Sequence, residues 1–103
     1  MKIINLENAP KVPFKIEGRI MFANEQAELI HLTLRKGEIL EKHDNPFDVI
    51  FYVLEGSGKL LLEDEVFNLS ANCSISVKTG SNRSWENTGE ADLKILVYKI
   101  MKH

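Results

Sequence analysis

A chain of 103 residues, 44% hydrophobic and with a formal net charge of −2 at pH 7, is long enough for one hydrophobic core and too short for two. Its 13 basic and 15 acidic residues are interspersed, so the basic stripe that nucleic-acid binding needs is missing, and no apolar run approaches the roughly 20 residues of a membrane-spanning helix. The single Cys73 cannot close an internal disulfide and no signal peptide precedes the strand-like Lys2–Leu6, which predicts a reducing, cytoplasmic setting.

Pro10 and Pro13 confine any strands of residues 1–26 to a sheet edge, where a missing backbone donor does no harm. In Ala27–Arg35 the residues Ile30, Leu32 and Leu34 alternate with His31, Thr33 and Arg35, the period of a strand, with a helix over Ala23–His31 as the competing reading. If that apolar face is the core, His31 points to solvent or to a partner copy. Val49–Leu54 is a continuous β-branched and aromatic run, which predicts a strand buried on both faces. After the break at Gly56-Ser-Gly58 come Leu60–Leu62 and Val66–Leu69, separated by the polar Glu63-Asp-Glu65, a hairpin signal.

Asn72, in the turn after Leu69, is suited to the left-handed conformation. Cys73 lies beside that turn with no basic neighbour, which predicts a small buried side chain and not a nucleophile. Ser74–Val77 alternates as a short strand, turns at residues 79–82 and 87–91 bracket Arg83–Glu86, and Leu93–Ile100 is the last strand. Turn signals recurring about every ten residues, with no long amphipathic helix, predict an all-β sandwich or barrel.

Two stretches carry a family resemblance. The first has Gly37, five residues, His43, Pro46 and a hydrophobic strand closing on Val53-Leu-Glu-Gly56; the second has Gly80, Asn87 and the following Thr88-Gly89. Over about residues 27–98 the chain resembles the small single-domain members of the cupin superfamily. The resemblance implies an antiparallel, jelly-roll-like β-barrel of two facing sheets; chain length predicts a single domain over residues 1–103, gaining stability as a homodimer, with the N-terminal 1–26 as edge strands that offer a dimer contact. The resemblance also implies a metal site of three histidines and a glutamate, of which only His43 is retained. Asn45 and Val49 stand where the second histidine and the glutamate belong, Arg83 replaces the last histidine, and Lys78 replaces a proline of the second motif. Valine donates no lone pair and arginine is a permanent cation, so no metal or other cofactor is predicted; a divalent transition metal held by unrecognised ligands is the alternative.

Strand parity places His43, Asn45, Val49, Phe51 and Val53 on one face, and Arg83, Trp85 and Asn87 likewise on one face, which the resemblance implies is the barrel interior. Arg83 then supplies the charge a metal would have supplied, beside His43 and Asn45 and walled by Phe51 and Trp85; the competing reading is an arginine that snorkels outward or pairs with Asp48 or Glu86. Phe51 and Trp85 fit a core as well as a ligand wall. His43 is either a hydrogen-bonded structural residue or, titrating near neutrality, a proton-transfer group. His31, Lys78 and the terminal His103 are weaker ligand candidates. The expected function is metal-free binding of a small polar or anionic molecule by a cytoplasmic homodimer. The alternatives are an isomerase- or epimerase-like enzyme, with His43 as base and Arg83 stabilising negative charge, and a metal-dependent dioxygenase or decarboxylase.

Overall fold

The structure is a computed structural model that describes residues 2–43 and 46–101, the side chains of residues 42 and 43 excepted. Its elements are all strands: β1 (Glu17–Ala23), β2 (Ala27–Leu34), β3 (Ile39–His43), β4 (Asp48–Glu55), β5 (Ser57–Leu62), β6 (Glu65–Ser70), β7 (Ser74–Val77), β8 (Arg83–Glu86) and β9 (Leu93–Ile100). A five-stranded sheet runs β1-β2-β9-β4-β7 and a four-stranded sheet runs β3-β8-β5-β6, with every strand pair antiparallel. This is the all-β fold that turn spacing and alternation predict, in the two facing antiparallel sheets that the resemblance implies.

Alternation decides which side chains meet between the sheets. Ile30, Leu32 and Leu34 of β2, Val49, Phe51 and Val53 of β4, and Leu93, Ile95 and Val97 of β9 are all buried and belong to one core cluster with Leu60, Leu69 and Trp85 from the facing sheet. Each such side chain taken out of water stabilises the fold by about 2 kcal/mol, and the nine from β2, β4 and β9 fix the register of the large sheet, because a one-residue slip would turn them all outward.

The run at residues 49–54 departs from its prediction. Only Val49, Phe51 and Val53 are buried; Ile50 and Tyr52 are 36% and 37% exposed, because β4 has the core on one side and the outer surface of the sheet on the other. There Ile50 lies opposite Tyr98 and Tyr52 opposite Leu96, so the apolar residues cover one another across the strands. Cys73 is exposed rather than buried: the turn that carries it is tied by its backbone, with the Cys73 carbonyl accepting from Val53 N and its N–H donating to Ser70 O, and the thiol is left at the surface.

The turn predictions are met by backbone geometry. Asn72 has φ 69°, and the β5–β6 hairpin turns through Glu63 at φ 54°. Gly56 has φ 81°, and a Cβ there would approach the Asp92 carbonyl oxygen to 2.5 Å. Glycine is therefore required at the end of β4 both by conformation and by the close passage of the loop before β9.

Of residues 2–26, only Glu17–Ala23 lies wholly within a strand, at the edge of the large sheet as expected, although Pro10 and Pro13 lie outside it. Residues 2–5 are irregular in spite of their strand-like sequence. Lys11 bridges to Arg19, Val12 N donates to Gly18 O and Ile20 N to Pro10 O, and these bonds fold residues 9–16 back over the core, with Ala9, Val12 and Ile16 buried.

Candidate functional site

The β3–β8 ladder joins the two motifs. Leu40 lies opposite Trp85, and past a register irregularity the backbone of His43 lies opposite Arg83. The imidazole of His43 and all of Asn45 fall outside what the structure describes. The same strand β8 pairs on its other side with β5, where Leu60 faces Trp85 and Leu62 faces Arg83.

Parity turns Arg83, Trp85 and Asn87 inward, and they are 3%, 1% and 1% exposed. Arg83 therefore does not snorkel to the surface. Its guanidinium donates to Ser81 O at 3.4 Å, and its Cζ stands 5.6 Å from the centroid of the Phe51 ring, within the range of a cation–π contact. Glu86, on the opposite parity of β8, pairs with Lys59 at 3.7 Å.

Phe51 also meets Trp85 edge to face, with ring centroids 5.5 Å apart and planes at 77°, the arrangement that aromatic quadrupoles favour. Phe51 and Trp85 are thus core residues and site walls at once. Both line a cavity of about 40 Å³, which Ile30 and Leu32 of β2, Leu40 of β3, Val97 and Lys99 of β9, and Arg83 and Ser84 of β8 complete together with Val12 and Phe14. Lys99 carries a second positive charge, met by Glu28 at 3.4 Å, and its Nζ stands 5.8 Å from the Phe47 ring. The walls are otherwise apolar.

Asn87, at the end of β8, is a structural clasp. Its amide Nδ2 donates to Leu34 O and to Ala91 O, both at 2.9 Å, and its Oδ1 accepts from Gly89 N at 2.9 Å. Its backbone exchanges bonds with the β2–β3 turn, accepting from Gly37 N and donating to Glu38 O. The asparagine of the second motif ties together three chain segments and contributes no group to the cavity.

His31 lies on the outer face of the large sheet, half-buried between Arg19 and Leu96. Burial holds its pKa below the ordinary imidazole value, and Lys94 pushes the same way. Lys78 is exposed beside the turn of Gly80. His103 lies outside the described residues.

Sequence reasoning missed the cover of the cavity. Val12 and Phe14 reach it from a segment outside the strands, and Phe14 stays 64% exposed. The one sequence signal was the apolar spacing of Val12, Phe14 and Ile16 around Pro13. Val97 and Lys99 were reachable by extending the parity of β9, whereas parity counted back from His43 would turn Leu40 outward; the register irregularity between the two sets Leu40 opposite Trp85 instead.

The interior positions do not fit the metal site that the fold implies. Val49 is fully buried where a carboxylate would be required, and the buried guanidinium of Arg83 occupies the place of an imidazole; neither offers a lone pair to a cation. Among the described residues no three His, Cys, Asp or Glu side chains come together in a way that could hold a metal ion.

Two antiparallel sheets closing on an inward-facing site between two glycine-bounded motifs define a cupin-type barrel. A model of the cupin domain matches residues 30–99, and the chain belongs to that family. Its fold is similar to that of a predicted oxalate decarboxylase from Thermotoga maritima, with a TM-score of 0.86, 18% identity and coverage of 98% of this chain and 100% of that one. KdgF from Halomonas sp. superposes with a TM-score of 0.80 at 20% identity, over 97% of this chain and 93% of that one. An RmlC-like cupin from Methanocaldococcus jannaschii, with a double-stranded β-helix fold, gives 0.84 at 20% identity, over 98% and 91%. At these identities the likeness establishes the fold alone. No curated protein sequence matches the chain. No helix among the described residues is long and apolar enough to cross a membrane.

Proposed function

We propose that this cupin is a metal-free binding protein for a small anionic molecule, held in the cavity between the sheets with its charge against Arg83. One observation carries this reading: an arginine that is 3% exposed lines a cavity whose other walls are mainly apolar. Burying a charge is costly, and a planar fork of donors in a low-dielectric cavity suits a carboxylate, which it can hold through two parallel hydrogen bonds. Lys99, which also lines the cavity, is paired with Glu28. By their positions in the first motif, His43 and Asn45 are further hydrogen-bonding groups proposed for this site.

A thermal-shift screen of short carboxylates against their neutral amides tests the reading. At ten times Kd a bound carboxylate should raise Tm by about 6 °C, the amides should not, and Arg83→Met should remove the rise. Equal stabilisation of wild type and variant would contradict the assignment. The enzyme reading, with His43 as base, requires turnover of a bound anion and is separated from simple binding by following that anion over time. Elemental analysis of protein purified without chelator separates the metal-dependent reading: stoichiometric transition metal would overturn the metal-free proposal.

A further inference from the structure

Among the described residues, Trp85 Nε1 is the buried side-chain polar atom that finds no hydrogen-bond partner. The indole N–H is a donor only, and a donor shut away from water without an acceptor loses its hydration with no return. Elsewhere the fold does not accept this: the equally buried Asn87 amide makes three bonds. The immediate neighbours of Trp85 across the ladders are Leu40 and Leu60, whose side chains accept nothing. Its ring neighbour Phe51 offers at most a weak N–H to π contact. The unsatisfied donor belongs to a side chain that lines the cavity.

We infer that the ligand is an amphiphilic monoanion carrying, besides the charged group at Arg83, an oxygen acceptor that takes the Trp85 Nε1–H bond. This inference rests on the reading of the cavity as an anion site and adds a second recognition group to it. The spacing of the two groups follows from the strand. Residues 83 and 85 are two apart on one face, which sets their Cα atoms roughly 7 Å apart. Both side chains converge on Phe51, with the Arg83 Cζ 5.6 Å and the indole centroid 5.5 Å from its ring centre. A carboxylate and an acceptor about four bonds apart, joined by methylene groups that lie against Leu32 and Val97, fit this pair of donors.

The size of the cavity adds a requirement. At about 40 Å³ it is much smaller than the roughly 150 Å³ that admits a benzene ring, so a short-chain oxo-carboxylate displaces part of the wall. Phe14 is the part that yields: it is 64% exposed and sits in a segment outside the sheets.

The chain has a single tryptophan, so its indole N–H gives one identifiable signal in a proton–nitrogen correlation spectrum. The test titrates 5-oxohexanoate, hexanoate and 2-hexanone into the protein. Expected are saturable binding of both carboxylates, about tenfold tighter binding of the oxo-acid, and a downfield shift of the indole proton with the oxo-acid alone. Trp85→Phe should abolish the tenfold preference for the oxo-acid over hexanoate, whatever the affinity of hexanoate itself becomes. Equal affinities in the wild type, an unmoved indole signal, or a preference that survives in Trp85→Phe would each overturn the acceptor inference while Arg83 remained an anion site. Failure of both carboxylates to bind would overturn the anion site itself. The wild-type comparison decides the matter even if the variant does not fold.

Discussion

Arg83 and Phe51 come from opposite sheets and meet in the interior, the guanidinium carbon 5.6 Å from the centre of the ring. The ring's negative face lowers the cost of keeping a cation away from water, and its edge-to-face contact with Trp85 fixes its plane. Phe51→Leu keeps an apolar side chain but loses both interactions. Denaturant unfolding should show a loss of about 2 kcal/mol, and any carboxylate affinity should fall with it. A variant as stable as the wild type would show that Phe51 acts only as filler.

Asn87 should matter to stability and not to binding. Asn87→Ala strands the Leu34 and Ala91 carbonyls and the Gly89 N–H that it now satisfies. A loss of about 3 kcal/mol in denaturant unfolding is expected, with ligand affinity preserved in the folded fraction. Loss of affinity at unchanged stability would place Asn87 in the site instead.

The His31 imidazole has its pKa lowered chiefly by burial and further by Lys94, with a smaller opposing effect of Glu55. The unfolded chain thus takes up the proton at higher pH than the folded one does, near the ordinary value of about 6.5. Stability is unaffected well above that value and falls as the pH drops from it toward the lower folded pKa. His31→Gln should lose less stability than the wild type between pH 7 and pH 5, as read from Tm at each pH. A constant difference between the two proteins across that range would contradict the assignment.

The homodimer expected from the sequence remains a proposal, and the N-terminal edge is its proposed surface. Ile3 and Phe22 are 85% and 49% exposed beside a groove of about 580 Å³ that Ile4, Ile20 and Met21 also line, and a chain this short gains stability by covering such a face with a second copy. Sedimentation velocity should give the mass of two chains, and Phe22→Asp should give the mass of one. A single-chain mass for the wild type at all concentrations would rule the dimer out.

The fold was largely legible because its determinants are local. Alternation in β2, β7 and β9, the turn residues Gly56 and Asn72, and the hairpin at Glu63 each act within a few residues, and the motif order did the rest. The two-faced burial expected of Val49–Leu54 failed because an apolar run does not reveal whether both faces are covered: Ile50 and Tyr52 lie against Tyr98 and Leu96 across the sheet, a pairing no local pattern contains. Cys73 failed for a related reason, since the backbone bonds of its turn decide where the thiol points. Parity was enough to bring Phe51, Arg83 and Trp85 together. The roof of Val12 and Phe14 left only the alternation of Val12, Phe14 and Ile16 as a signal, because where an irregular segment docks is decided by tertiary contacts.

The central claim, an anion site at Arg83, is tested most directly by isothermal titration of hexanoate into the wild type and Arg83→Met, with circular dichroism confirming that both are folded. Saturable binding at one molecule per chain in the wild type, weakened at least tenfold in the variant, is the predicted result. Equal binding to the two proteins, or no binding to the wild type, would contradict it.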